Sequence, residues 1–140
     1  MSKGDTFEND LLKLIFNAVA IADIADDDQT TPATTLTVAL HTADPGEAGD
    51  QTTSEATYTG YARVTVARTS GGWTVTGNSV VPAAAITFGA CTVGSETISF
   101  WSVGTGVANK ILYKGAVSPT IAVSPGVTPE LTTATAVTED

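Results

Sequence analysis

This 140-residue chain is poor in thiol, imidazole and cationic side chains, with one cysteine, one histidine and six basic residues. Each scarcity excludes something. Cys91 has no second thiol, so no intramolecular disulfide forms, which suits a protein made in a reducing cytoplasm. Lys3, Lys13, Arg63, Arg68, Lys110 and Lys114 are scattered and outnumbered by 15 acids, for a net charge of −9 and a pI near 4.2. A phosphate backbone needs clustered cations, so nucleic acid is not expected as a direct partner. No apolar run approaches the roughly 20 residues that span a bilayer, so no membrane partner is expected. Leu11 to Phe16 is interrupted by Lys13 and is too short for the core of a signal peptide, so export by that route is not expected.

The residues that are plentiful favour sheet. Threonine occupies 25 positions, and β-branched side chains suit a pleated surface. Leu36, Val38 and Leu40 alternate with Thr37, Ala39 and His41, the period of a half-buried strand, and Asp44-Pro45-Gly46 ends it as a turn. A polar loop over 43–59 follows, long enough to suggest a contact-bearing segment. Strands are then expected at Tyr61–Thr69 and, through a Ser70-Gly71-Gly72 hairpin turn, at Trp73–Thr76. Asn78 marks another turn. Val80-Val81 and Ile86–Phe88 flank Pro82, which confines that region to an edge or a break. Thr97–Val103 is apolar on both faces, as in a central covered strand. Lys110–Ala116 and Val117–Val123 follow as two strands or one bent strand, and a last extended segment covers 127–137. About eight short strands at this spacing predict an antiparallel β-sandwich or small barrel.

The first quarter differs. Eleven of the acids lie in residues 1–60. Phe7, Leu11, Leu14, Ile15 and Ala18 fall on one face of a helix over 5 to about 19, with Asp5 and Glu8 spaced as a capping box. Ile21 and Ile24 suggest a further turn before Asp26-Asp27-Asp28, Thr30-Thr31 and Pro32 end the helical region. The division expected is a helical arm over 1–30 and a β-sandwich domain over 31–140.

The chemistry on offer is thin. His41 is the one available base, and no G-x-S-x-G sequence accompanies it, so it is expected as a polar residue on the solvent face of a strand end, hydrogen-bonded to the nearby turn. Cys91 is expected as a small buried hydrophobe. Asp44, Glu47, Asp50 and Glu55 suit a solvated acidic loop better than a carboxylate pair or a Ca²⁺ loop, because nothing fixes their separation. Gly104-Thr105-Gly106 lacks the third glycine and the helix of a phosphate-binding loop. Trp73, Trp101, Tyr58, Tyr61 and Tyr113 are expected in the core or an interface rather than on a sugar-binding face. Arg63 and Arg68 are candidates for pairing with acids of an adjacent subunit. No cofactor, metal or enzymatic activity is expected.

The run from Leu40 to Val80 resembles a family of small bacteriophage virion proteins. The resemblance lies in a strand ending in Leu40-His41-Thr42-Ala43-Asp44-Pro45-Gly46, the strand Tyr61-Ala62-Arg63-Val64-Thr65-Val66, then Phe100-Trp101-Ser102-Val103-Gly104 and Leu112-Tyr113-Lys114-Gly115. The helix at KGDTFENDLLKLIFN is similar too, so the likeness covers nearly the whole chain. It implies a non-enzymatic part of the virion. The chain's size and strand pattern look like those of a capsid decoration, or cement, protein that binds the outside of the head and bridges major capsid subunits; the alternative is a small tail or tail-fibre component used in host attachment. The partners then expected are the major capsid protein and copies of this chain in a homo-oligomer. The candidate interface comprises the helix residues Phe7, Leu11, Leu14 and Ile15, the turn residues Asp44, Pro45 and Glu47, and Tyr58, Tyr61, Arg63 and Arg68.

Overall fold

The computed structural model describes residues 3–22, 24–25 and 31–139. The chain is mainly β, with one N-terminal helix, and its sheets are antiparallel; no barrel closes among the described residues, so the open, sandwich-like architecture is the one that fits. No described helix is long and apolar enough to cross a membrane. The fold divides into two compact units. One comprises residues 1–35, 67–85 and 131–140, and the other comprises 36–66 and 86–130.

In the first unit helix α1 (Asp5–Asn17) packs on a hairpin of β3 (Trp73–Thr76) and β4 (Ser79–Pro82), to which β9 (Val137–Thr138) adds a third strand. The buried row of the helix is Glu8, Leu12 and Phe16, one residue round from the Phe7, Leu11, Leu14, Ile15 stripe expected from hydropathy. An acid occupies the first position of the true packing row, and hydropathy does not count an acid as core. Leu11, Leu14 and Ile15 are half-buried and Phe7 is 41% exposed. The edge of the Phe16 ring meets Trp73 at 5.0 Å and 64°. The capping box does not form: Gly4 is the N-cap, and no side chain caps the helix.

The other end of the helix is held firmly. Ala18 takes a left-handed φ of 55°, and its N–H turns to the Lys13 carbonyl, joined there by the Val19 N–H at 3.2 Å. Arg68 completes the closure. Its guanidinium donates to the Ile15 carbonyl at 2.7 Å, to the Leu14 carbonyl, and to the Ala33 carbonyl at 3.2 Å. A cation at a helix C-terminus also meets the negative end of its dipole. Ile21 and Ile24 form no further helical turn; Ile21 and Ala25 close a tight turn through paired backbone bonds of 2.7 and 2.9 Å. Asp26-Asp27-Asp28 lies outside the described residues.

The second unit is built on a four-stranded sheet, β2 (Val64–Ala67), β1 (Thr35–His41), β6 (Glu96–Gly104) and β7 (Ile111–Val123), in that order. β6 is central, as its two-faced apolarity predicts: Trp101, Ser102, Val103 and Gly104 are all buried. Ser70-Gly71-Gly72 does not link paired strands, because β2 and β3 belong to different sheets; the segment closes a turn with Gly72 and Trp73 N–H groups on the Thr69 carbonyl. β7 is one strand with a break. Ile98 faces Ile121 and Phe100 faces Ala116, so Val117, Ser118, Pro119 and Thr120 stand against Ser99 alone. That bulge interrupts an edge strand that would otherwise offer a long row of pairing groups. Two further short strands pair, β5 (Ile86–Thr87) with β8 (Glu130–Leu131).

The helix closure gives a pair of opposed expectations. Arg68→Ala lowers unfolding stability in urea by about 2 kcal/mol, since charge-assisted bonds to helix carbonyls go unreplaced. Ala18→Gly raises it by up to about 1 kcal/mol, because glycine adopts the left-handed cap without the β-carbon penalty.

Candidate functional site

The segment after β1 folds back onto the sheet instead of projecting from it. β1 and β6 pair with Thr37 opposite Gly104, Ala39 opposite Ser102 and His41 opposite Phe100, so these residues share one face. Ala56 N–H bonds the Leu40 carbonyl at 2.9 Å, Thr42 N–H bonds the Ser54 carbonyl at 2.8 Å, and Gln51 N–H bonds the Asn109 carbonyl at 2.9 Å. His41 and Glu55 form an isolated antiparallel bridge.

His41 is 0% exposed, which corrects the expectation of a solvent-facing residue. A polar run gives no local sign that it will cover a strand. His41 Nδ1 lies 2.9 Å from the Thr53 carbonyl and Nε2 lies 2.8 Å from Ser102 Oγ. A carbonyl only accepts, so Nδ1 carries the proton and Nε2 accepts from the Ser102 hydroxyl. Gln51, also 0% exposed, donates from Nε2 to the Thr37 carbonyl at 2.9 Å and to Ser102 Oγ at 3.4 Å, while its Oε1 has no partner. Burial disfavours the imidazolium and pulls the His41 pKa below its ordinary value, outweighing the bond to Thr53.

Gly104 makes the room for Gln51. A β-carbon there would sit 2.1 Å from the Lys110 carbonyl oxygen and 3.0 Å from Gln51 Cδ. On the neighbouring strand β7, Gly115 lies under the Trp101 indole, whose Nε1 would be 2.9 Å from a β-carbon.

Two charged clamps hold the segment. Arg63 grips Glu55 in a fork, Nε to Oε1 at 2.6 Å and Nη2 to Oε2 at 2.7 Å, with Nη1 on Asn109 Oδ1 at 2.8 Å. The Glu55 carboxylate raises the Arg63 pKa further. Tyr61 donates its hydroxyl to Glu55 Oε1 at 2.9 Å and accepts the Leu40 N–H at 3.1 Å; burial first, and Glu55 beside it, push its pKa up. The second clamp is exposed: Lys114 Nζ meets Asp44 Oδ1 at 2.9 Å and Glu47 Oε1 at 3.1 Å. Asp44 Oδ1 also accepts the Gly46 N–H at 2.8 Å, and this bond, ahead of Lys114, lowers its pKa. Asp50 does likewise with Thr52, whose hydroxyl and N–H lie 2.6 and 2.8 Å from Oδ1. An open pocket of about 320 Å³ lies between Gly46, Glu47, Gly49 and the start of β7.

The candidate interface residues therefore fall into two groups. Asp44, Pro45, Glu47, Tyr58, Tyr61 and Arg63 gather in the second unit, where Pro45 and Tyr58 are buried and Asp44 and Glu47 are exposed. Tyr58 donates to the Gly89 carbonyl at 2.9 Å, and burial pushes its pKa up to about 12. Phe7, Leu11, Leu14, Ile15 and Arg68 lie in the first unit. Both arginines have partners within their own chain. Cys91 is buried, as anticipated. Gln51, Ser102, Gly104 and Lys114 were not anticipated; the only signal was the pairing of β1 with β6, which short-range patterns do not reveal. Among the described residues no cluster of three or more histidine, cysteine or acidic side chains is arranged to hold a metal ion.

Residues 2–137 match the family described as Podophage GP4 fiber I protein gp80, and the chain belongs to that family. It is a structural protein of the bacteriophage particle. A comparison with curated proteins finds no match.

The fit of Gln51 over Gly104 is directly testable. Gly104→Ala is expected to lower unfolding stability by about 1–3 kcal/mol in urea, because a backbone carbonyl cannot yield. Gly71→Ala, whose β-carbon would meet only an ordinary contact 3.6 Å from Thr69 Oγ1, is expected to stay within about 0.5 kcal/mol of the parent.

Proposed function

We propose that this protein is a non-enzymatic component of a podophage fibre assembly, held in the virion by contacts with other particle proteins and with its own copies. The family match over residues 2–137 is the observation that carries the reading. The side chains are consistent with it. The one histidine and the serine beside it are sealed at 0% exposure, so the pair offers no substrate a path. The excess of acids keeps the free protein soluble before assembly.

A head-shell position, as a decoration protein across major capsid subunits, is the competing reading. The division into two compact units, with no described strand longer than 13 residues, supports it, since a shaft would need a longer repeating element.

Particles separated into heads and tails, with immunogold labelling of the intact virion, distinguish the two. Label on the fibres and recovery with the tail fraction are expected. Recovery with heads alone supports the decoration reading, and absence from washed particles contradicts both.

A further inference from the structure

In the second unit three polar side chains are entirely buried, His41, Gln51 and Ser102, and they form one connected network. The observed bonds are those of one protonation state. With His41 neutral, the Gln51 amide donates to Thr37 O and Ser102 Oγ, the Ser102 hydroxyl donates to His41 Nε2, and His41 Nδ1–H donates to Thr53 O. Each donor has an acceptor, and the residue furthest along the chain of bonds, Thr53, lies in the segment that covers the sheet.

A proton added to Nε2 breaks that order. Nε2–H would then face the Ser102 hydroxyl, which must give up its acceptor and turn its own proton elsewhere. Rotating the Gln51 amide offers no remedy, because its oxygen would then face the Thr37 carbonyl. The charged groups facing His41 are Glu55, Arg63 and Asp44. Glu55 is held in the fork with Arg63, and Asp44 is bonded to Lys114, so both nearby carboxylates are already engaged. Both favour the charged ring through space, but neither bonds it, and burial outweighs them. The charged ring is best accommodated by moving toward water, and that motion carries Thr53 with it.

We infer that His41 is an acid-sensitive latch: a proton taken from solvent at Nε2 deprives the Ser102 hydroxyl of its acceptor and opens the Gln51–Glu55 segment away from β1 and β6, while the sheet itself persists. Sign and range follow from the same geometry. The closed state holds its proton less tightly than an exposed histidine of pKa 6.5, so closure is complete above that pH. Below it, opening grows by about tenfold per pH unit until the closed-state value is reached. The chain has a single histidine, and Asp44 and Asp50 titrate below their ordinary 3.8, so they do not change charge in this range.

Amide hydrogen exchange of the intact protein, corrected for intrinsic rates and followed by mass spectrometry from pH 7.5 to 5.0, tests the latch. Peptides covering 50–56 are expected to lose protection by about tenfold per pH unit below 6.5, while peptides from β6 and from the β3–β4 hairpin hold theirs. His41→Gln is expected to abolish this pH dependence. Nitrogen-15 shifts of the one imidazole give a readout that needs no variant: a neutral ring protonated on Nδ1 at pH 7, titrating below 6.5. Protection at 50–56 that is independent of pH, a ring titrating at or above 6.5, or loss of protection throughout the chain at the same pH would overturn the latch.

Discussion

A sheet face covered by a polar segment is the constraint on which the second unit depends. Helices and sheets usually cover a sheet with apolar side chains, and the energy then comes from area removed from water. Here the cover is the run after His41, in which alanine and proline are the main apolar residues. Its placement must come from hydrogen bonds, and every buried polar group beneath it needs a partner. The structure meets that demand at all but Gln51 Oε1, with backbone bonds from Thr42, Gln51 and Ala56, with the His41–Ser102–Gln51 network, and with the Arg63–Glu55 fork. The fork is only partly exposed, about one fifth for each side chain, so it is less screened by water than the Lys114 contact with exposed Glu47.

The first unit solves a similar problem with one long side chain. Its helix has 13 residues, a length that is marginal in isolation, and no side chain caps its start. Packing of Leu12 and Phe16 against the hairpin supplies the burial, and Arg68 gathers the last carbonyls. A lysine could supply the charge but not the fork that reaches three carbonyls.

Much of this was legible in the sequence where period and turn chemistry act locally. The alternation of Leu36, Val38 and Leu40, the two-faced apolarity around Trp101, the turn at Asn78 and the bend within β7 all read correctly, because each is set by neighbours along the chain. The errors arose where a distant residue decides. His41 looks solvent-facing until the 43–59 segment lies over it. The helix face is displaced because Glu8 occupies a packing row that hydropathy scores as surface. Ser70-Gly71-Gly72 has the residues of a hairpin, but pairing belongs to the strands, and β3 finds β4. Arg63 and Arg68 look free for a partner because most of their acceptors lie far off in sequence, at Leu14, Ile15, Ala33 and Asn109, and Glu55 reaches Arg63 only once its own segment folds back. The candidate site was visible as a polar segment, but the network that holds it down was not.

Membership of a phage fibre family makes the chain a particle component, for which a shape that persists matters. The claim underlying the account is that the segment after β1 is a fixed cover rather than a free loop. Residue-resolved amide exchange at neutral pH tests it most directly. The amides of Thr42, Gln51 and Ala56 are expected to exchange as slowly as those of β6; exchange at the rates of an unstructured peptide would contradict it.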